Sequence, residues 1–120
     1  MSISHLFALD VQMDRIMKEG FDARYARHDK MAERVQGWAR KHFALYPAER
    51  YASKTVTCIK NTRGISVADL NKELGKRYLV LSNGYGKLKE QTFRIAHMGD
   101  LQMSDIDELL AAIDDILKLK

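Results

Sequence analysis

The sequence predicts an α+β domain: a small three-stranded sheet with helices packed on one face, two helices leading into a β-α-β-β-α order. Three observations carry that prediction. The first third places apolar residues at three- and four-residue spacing, the pattern of amphipathic helices. From residue 54 the pattern changes to short runs rich in β-branched residues, bounded by turn signals. A last apolar stripe at helical spacing closes the chain. With 120 residues, the chain can bury one core and is too short for two.

The elements follow in order. Residues 4–19 carry Leu6, Leu9, Met13, Ile16 and Met17 on one stripe, widened by Phe7 and Val11. Ser4 is the expected N-cap, and Gly20 closes the helix. Residues 21–43 read as a longer helix with Tyr25, His28, Ala32, Val35, Ala39 and His42 on one side and Trp38 beside them. Pro47 ends this helical pair, because the residue before a proline is pushed towards extended backbone. "KTVTCIK", 54–60, is a strand ended by the turn signal Asn61-Thr62-Arg63-Gly64. Ser66, with Asp69 three residues on, caps a helix whose apolar side is Val67, Leu70 and Leu74 and which ends at Gly75. "RYLVLS", 77–82, is expected as a second strand and "NGYGK", 83–87, as a turn. "QTFRIAH", 91–97, is the third strand. Ser104 with Asp107 is expected to cap the last helix, which buries Ile106, Leu109, Leu110, Ile113 and Leu117. Asp105, Asp107 and Glu108 at its start and Lys118 and Lys120 at its end suit the helix dipole.

Composition excludes several classes. Charged residues are 30% and hydrophobic residues 46%, as in ordinary globular domains, and the net charge of +4 is only mildly basic. One cysteine, Cys58, allows no internal disulfide and is expected to be a buried thiol. No apolar run approaches the ~18 residues of a membrane span, and nothing after Met1 reads as a signal peptide, so a cytoplasmic location is the expectation. No Gly-x-Ser-x-Gly or His-Glu-x-x-His motif is present, and no metal site is expected. Arg24, Arg27, Lys30, Arg34, Arg40 and Lys41 raise the question of nucleic acid. Asp22, Asp29 and Glu33 interrupt them, so the expectation is a mixed solvated face. His28 is expected to make structural hydrogen bonds rather than to catalyse.

Arg94 is the residue that asks for an explanation. In a strand, Phe93, Ile95 and His97 point to one face, and Thr92, Arg94 and Ala96 to the other. The apolar set would face the helices and Arg94 the uncovered side. An arginine there cannot shed its charge. Either it pairs with a nearby acid, Asp100 or Glu90, or its planar fork grips a carboxylate bidentately. The pattern leaves both open.

"KLKEQTFRIAHMGD", 87–100, followed by "DIDELLAAIDDIL", 105–117, resembles the C-terminal end of class V aminotransferases, the pyridoxal-phosphate enzymes that include alanine–glyoxylate and serine–glyoxylate aminotransferases. "SISHLFALDVQMDRIMKEGFDARYARHDKMAERVQGWA", 2–39, is similar to the two helices leading into that family's small domain. The resemblance covers nearly the whole chain. The family often has glycine where this chain has Glu90 and Ala96, departures expected to alter the loop before the strand while leaving the arginine in place.

The resemblance implies that Arg94 matches the arginine that binds the substrate α-carboxylate, orienting it against the cofactor. It implies a single C-terminal small domain over 1–120, with the large cofactor-binding domain missing. The Schiff-base lysine would lie upstream, so no catalytic residue is expected in this chain, and Lys54 and Lys60 are not candidates for that role. The complete enzyme would use pyridoxal 5'-phosphate to pass an amino group from a small amino acid, alanine or serine, to a 2-oxo acid such as glyoxylate. It would be a homodimer, and the isolated chain would be inactive and bind no cofactor. Two other readings stay open: a free-standing interaction module reusing the fold, and a weak nucleic-acid binder.

Overall fold

The computed structural model describes residues 2–120. Four helices and a four-stranded antiparallel sheet make up the domain. The helices are α1 (Ile3–Glu19), α2 (Phe21–His42), α3 (Val67–Gly75) and α4 (Met103–Leu117). The strands are β1 (Ala44–Leu45), β2 (Val56–Lys60), β3 (Ser82–Asn83) and β4 (Thr92–Ala96), in the spatial order β1-β2-β4-β3.

The α+β architecture matches the sequence reading; the sheet has one more strand than expected. β1 is the addition, a two-residue strand that pairs Ala44 with Lys60 and Leu45 with Ile59 where α2 ends. Its brevity hides it from any alternation pattern. The expected strand over 77–82 is a correction: only Ser82 and Asn83 pair with β4. Residues 76–79 instead wind off the end of α3, with Tyr78 at φ +59° and the Leu79 amide donating to the Leu74 carbonyl at 3.0 Å. The Leu81 backbone is held by a side chain: its amide donates to Asn71 Oδ1 and its carbonyl accepts from Asn71 Nδ2. An asparagine on α3 thus takes the place of a neighbouring strand.

Two caps also shift. The N-cap of α1 is Ser2 rather than Ser4. α4 is capped at Gln102, whose amide donates to Asp105 Oδ2 at 2.7 Å, rather than by Ser104 with Asp107. Ser66 caps α3 as expected, accepting from the Asp69 amide at 3.1 Å.

The core lies between the inner sheet face and α2, α3 and α4. Phe93, Ile95, Ile59, Val35, Met31, Leu74, Leu110 and Ile113 are almost wholly buried there. Tyr25, placed by its spacing on the inner side of α2, is exposed; Met31 and Gln36 are the buried residues that the stripe omitted. Along β4, Phe93 and Ile95 are buried while Arg94 and Ala96 are exposed, as the alternation expects; Thr92 departs from it, buried although it shares the face of Arg94. α1 buries no residue and projects from the body, with Phe7 69%, Leu9 56% and Met17 62% exposed.

Candidate functional site

Arg94 stands in the middle of the sheet's open face. Across the ladder it registers with Cys58 of β2 on one side and Ser82 of β3 on the other. Its Nη2 donates to the Asn83 carbonyl oxygen at 3.2 Å. That carbonyl lies on an edge strand, where one row of backbone groups has no further strand to bond. Among the described residues no acid lies within ion-pair distance of Arg94.

The two acids that could have neutralised it are engaged elsewhere. Asp100 accepts from Gln12 and Arg24 and lies 3.7 Å from Arg15. Glu90 Oε2 accepts from the Val67 amide at 2.7 Å, and its Oε1 accepts from Asn83 Nδ2. The Asn83 hydrogen bond, with the amides of Val67 and Ala68, holds the Glu90 carboxyl below its usual pKa. Neither acid neutralises Arg94, whose side chain is exposed on the open face.

The loop between β3 and β4 sets the arginine's surroundings. Asn83 Oδ1 accepts from the amides of Gly84 and Glu90, closing the "NGYGK" turn on itself. A Cβ at Gly84 would sit 1.9 Å from the Leu88 carbonyl oxygen, so only glycine fits. Glu90 has φ +62°, the left-handed region in which glycine is at ease. The structure thus gives a physical reason for the departure noted in the sequence: Glu90 occupies a glycine-like conformation, and its carboxylate caps α3 from a separate loop. Nothing in the sequence pattern marked Asn83 beyond its place in a turn.

Cys58 is half-buried on the open face, rather than buried as expected. Burial pushes its thiol pKa up, while a hydrogen bond with Thr92 and the Arg94 charge draw it partly back. His28 has the structural role expected of it. Its Nε2 accepts from the Gly99 amide at 3.1 Å and its Nδ1 meets the Arg24 carbonyl at 2.7 Å, an arrangement that places the proton on Nδ1. His97 is wholly buried, with Nε2 at 2.8 Å from Thr57 Oγ1.

The basic residues of α2 form no continuous positive face. Arg24 and Arg27 both bind Glu19, Arg34 binds Asp107 and Arg40 binds Glu49. No group of acidic, histidine and cysteine side chains suited to a metal ion occurs among the described residues, and no helix is long and apolar enough to cross a membrane. Lys54 is ion-paired with Asp29 at 3.2 Å, and Lys60 is exposed at the end of β2. Lys54 also lines a surface pocket with Arg24, His28 and Thr55.

Fold and site together define an α+β domain whose open sheet face presents a single arginine. No family model matches the chain. Individual proteins do. An uncharacterized aminotransferase of Methanocaldococcus jannaschii is 31% identical over 119 residues, which is 98% of this chain and 31% of that protein. The serine–glyoxylate aminotransferase of Arabidopsis thaliana is 30% identical over 122 residues, 98% of this chain and 30% of that protein. The crystal structure of a pyridoxamine–pyruvate aminotransferase from Mesorhizobium loti superposes with a TM-score of 0.87 at 26% identity, over 98% of this chain and 31% of that one. These three relatives are aminotransferases, and the chain is similar to a segment of each. It spans about a third of the length of these relatives.

Proposed function

We propose that this chain is the C-terminal small domain of a pyridoxal-phosphate-dependent aminotransferase that moves an amino group from a small amino acid, alanine or serine, to a 2-oxo acid such as glyoxylate. In this reading a large domain elsewhere in a longer protein supplies the cofactor site and the catalytic lysine, and the complete enzyme is a homodimer. The cofactor, when bound there, supplies the electron sink for the substrate's Cα. In this reading the part of this chain is to hold the substrate carboxylate. The 120 residues alone are inactive.

The observation that carries the reading is the state of Arg94. It is an exposed guanidinium on an open sheet face, held by one backbone carbonyl and neutralised by no acid. Such a fork can take a substrate carboxylate bidentately and fix the orientation of the bonds at the neighbouring carbon. The similarity to serine–glyoxylate and pyridoxamine–pyruvate enzymes supports a small amino acid and a 2-oxo acid as the partners.

The test is turnover by a full-length aminotransferase carrying this segment. Arg94→Ala should lower kcat/KM roughly 10- to 1,000-fold, the loss expected for a charge-assisted pair. Arg94→Lys should recover only part of it, because an ammonium cannot reproduce the fork. Unchanged turnover in both variants would remove Arg94 from the substrate site. A free-standing interaction module is the second reading, favoured by the exposed apolar stripe of α1.

A further inference from the structure

We propose that Glu90 is a positioning residue for Arg94, acting through Asn83. This rests on the reading of Arg94 as the substrate-carboxylate arginine, and adds a residue that sets the direction of its fork.

The chain of contacts is short. The Glu90 carboxylate spans two elements: Oε2 takes the Val67 amide at the start of α3, and Oε1 takes Asn83 Nδ2. Asn83 is therefore held from its side chain at both ends, since its Oδ1 also accepts from the Glu90 amide at 3.0 Å. The carbonyl of that same asparagine receives Arg94 Nη2. β3 is only two residues long and forms the sheet edge, so its own ladder does little to fix the carbonyl. The tie to α3, a helix packed on the opposite face, supplies the rigidity that the strand lacks.

Backbone conformation argues in the same direction. A glutamate at φ +62° is strained, and a glycine would occupy that position without strain. The carboxylate offsets the strain with hydrogen bonds that a glycine cannot make. One of them caps a helix; the other reaches the residue on which Arg94 rests. Helix capping alone would need only the first.

The experiment uses the 120-residue chain with Glu90→Gly and Glu90→Gln. The readout is the 15N order parameter of the Arg94 Nε–H group, with that of Arg27, anchored on Glu19 and the Gly99 carbonyl, as an internal control. Thermal unfolding is recorded beside it. Glu90→Gln keeps an oxygen for the Val67 amide but turns its amide NH2, a donor, towards the donor Asn83 Nδ2. In both variants the Arg94 order parameter should fall below about 0.6, the range of flexible groups, while Arg27 keeps its wild-type value. Glu90→Gln should keep its melting temperature, which separates positioning from capping. If Glu90→Gly fails to fold, Glu90→Gln decides. An Arg94 order parameter unchanged from wild type in folded Glu90→Gln overturns the proposal and leaves the role of Arg94 standing. Loss of that role is read independently, from the turnover of the Arg94 variants.

Discussion

Phe93 meets Phe43 edge to face beneath the sheet, with ring centroids 5.2 Å apart and planes at 82°. This geometry favours aromatic pairs, and Phe93 is fully buried within it. Its neighbour Arg94 stands on the opposite face with no ion-pair partner among the described residues. Two adjacent residues of one strand thus serve different ends, one holding the fold and the other facing out of it.

Denaturant unfolding should separate them. Phe93→Ala leaves a cavity beside Phe43 and Ile59 and should cost about 3–5 kcal/mol. Arg94→Ala removes one hydrogen bond from an exposed side chain and should cost less than about 1 kcal/mol. Equal losses would make Arg94 a structural residue and weaken its assignment to substrate.

Gly84→Ala should destabilise the loop that carries Asn83. The new methyl would sit 1.9 Å from the Leu88 carbonyl oxygen and 2.7 Å from Thr92 Oγ1, so the backbone must shift. A loss of roughly 1–3 kcal/mol is expected, with amide shift changes concentrated on residues 83–92. A variant as stable as the parent, with those shifts unmoved, would contradict this packing.

The chain should self-associate through α1. Leu6, Phe7, Leu9, Val11, Met13 and Met17 are all at least 43% exposed on this helix. Contiguous apolar surface of this kind is normally covered. Sedimentation should show a concentration-dependent rise in mass at high micromolar protein, and Leu9→Glu should abolish it. A monomer at every concentration would count against the prediction.

Acid should act on stability in two separate windows. Burial pushes the His97 pKa below its ordinary 6.5, and its Nδ1 has no hydrogen-bond partner among the described residues. The unfolded chain therefore takes up this proton first, and the stability held by neutral His97 is lost as pH falls below about 6.5. Glu19 is held at a pKa of about 2, chiefly by its hydrogen bond with Arg27 and also by Arg24. Its contribution is complete above its ordinary 4.5 and is lost only as pH falls from there towards 2. Urea midpoints should thus fall between pH 7.5 and 5.5 in the parent and stay flat over that range in His97→Gln. A Glu19 carboxyl that titrates by NMR near 4.5 would remove the second window.

Much of the fold was legible because periodicity records which face is buried. The stripes of α3 and α4, the alternation of β4 and the stop at Gly20 needed nothing beyond local spacing. Arg94 could be singled out for the same reason: a charge between Phe93 and Ile95 must face away from the core. What was not legible depended on partners distant in sequence. β1 exists because β2 offers it two hydrogen-bonding positions, and residues 77–81 fail to form a strand because Asn71, on α3, takes the Leu81 backbone. Glu90 could be noted only as a departure from glycine and as one of two acids near Arg94. Its carboxylate has a purpose once folding brings the Val67 amide and Asn83 within reach, and whether Arg94 is neutralised depends on where Asp100 and Glu90 are drawn. Local spacing determined which face each side chain takes; only the tertiary structure decided which partner it meets there.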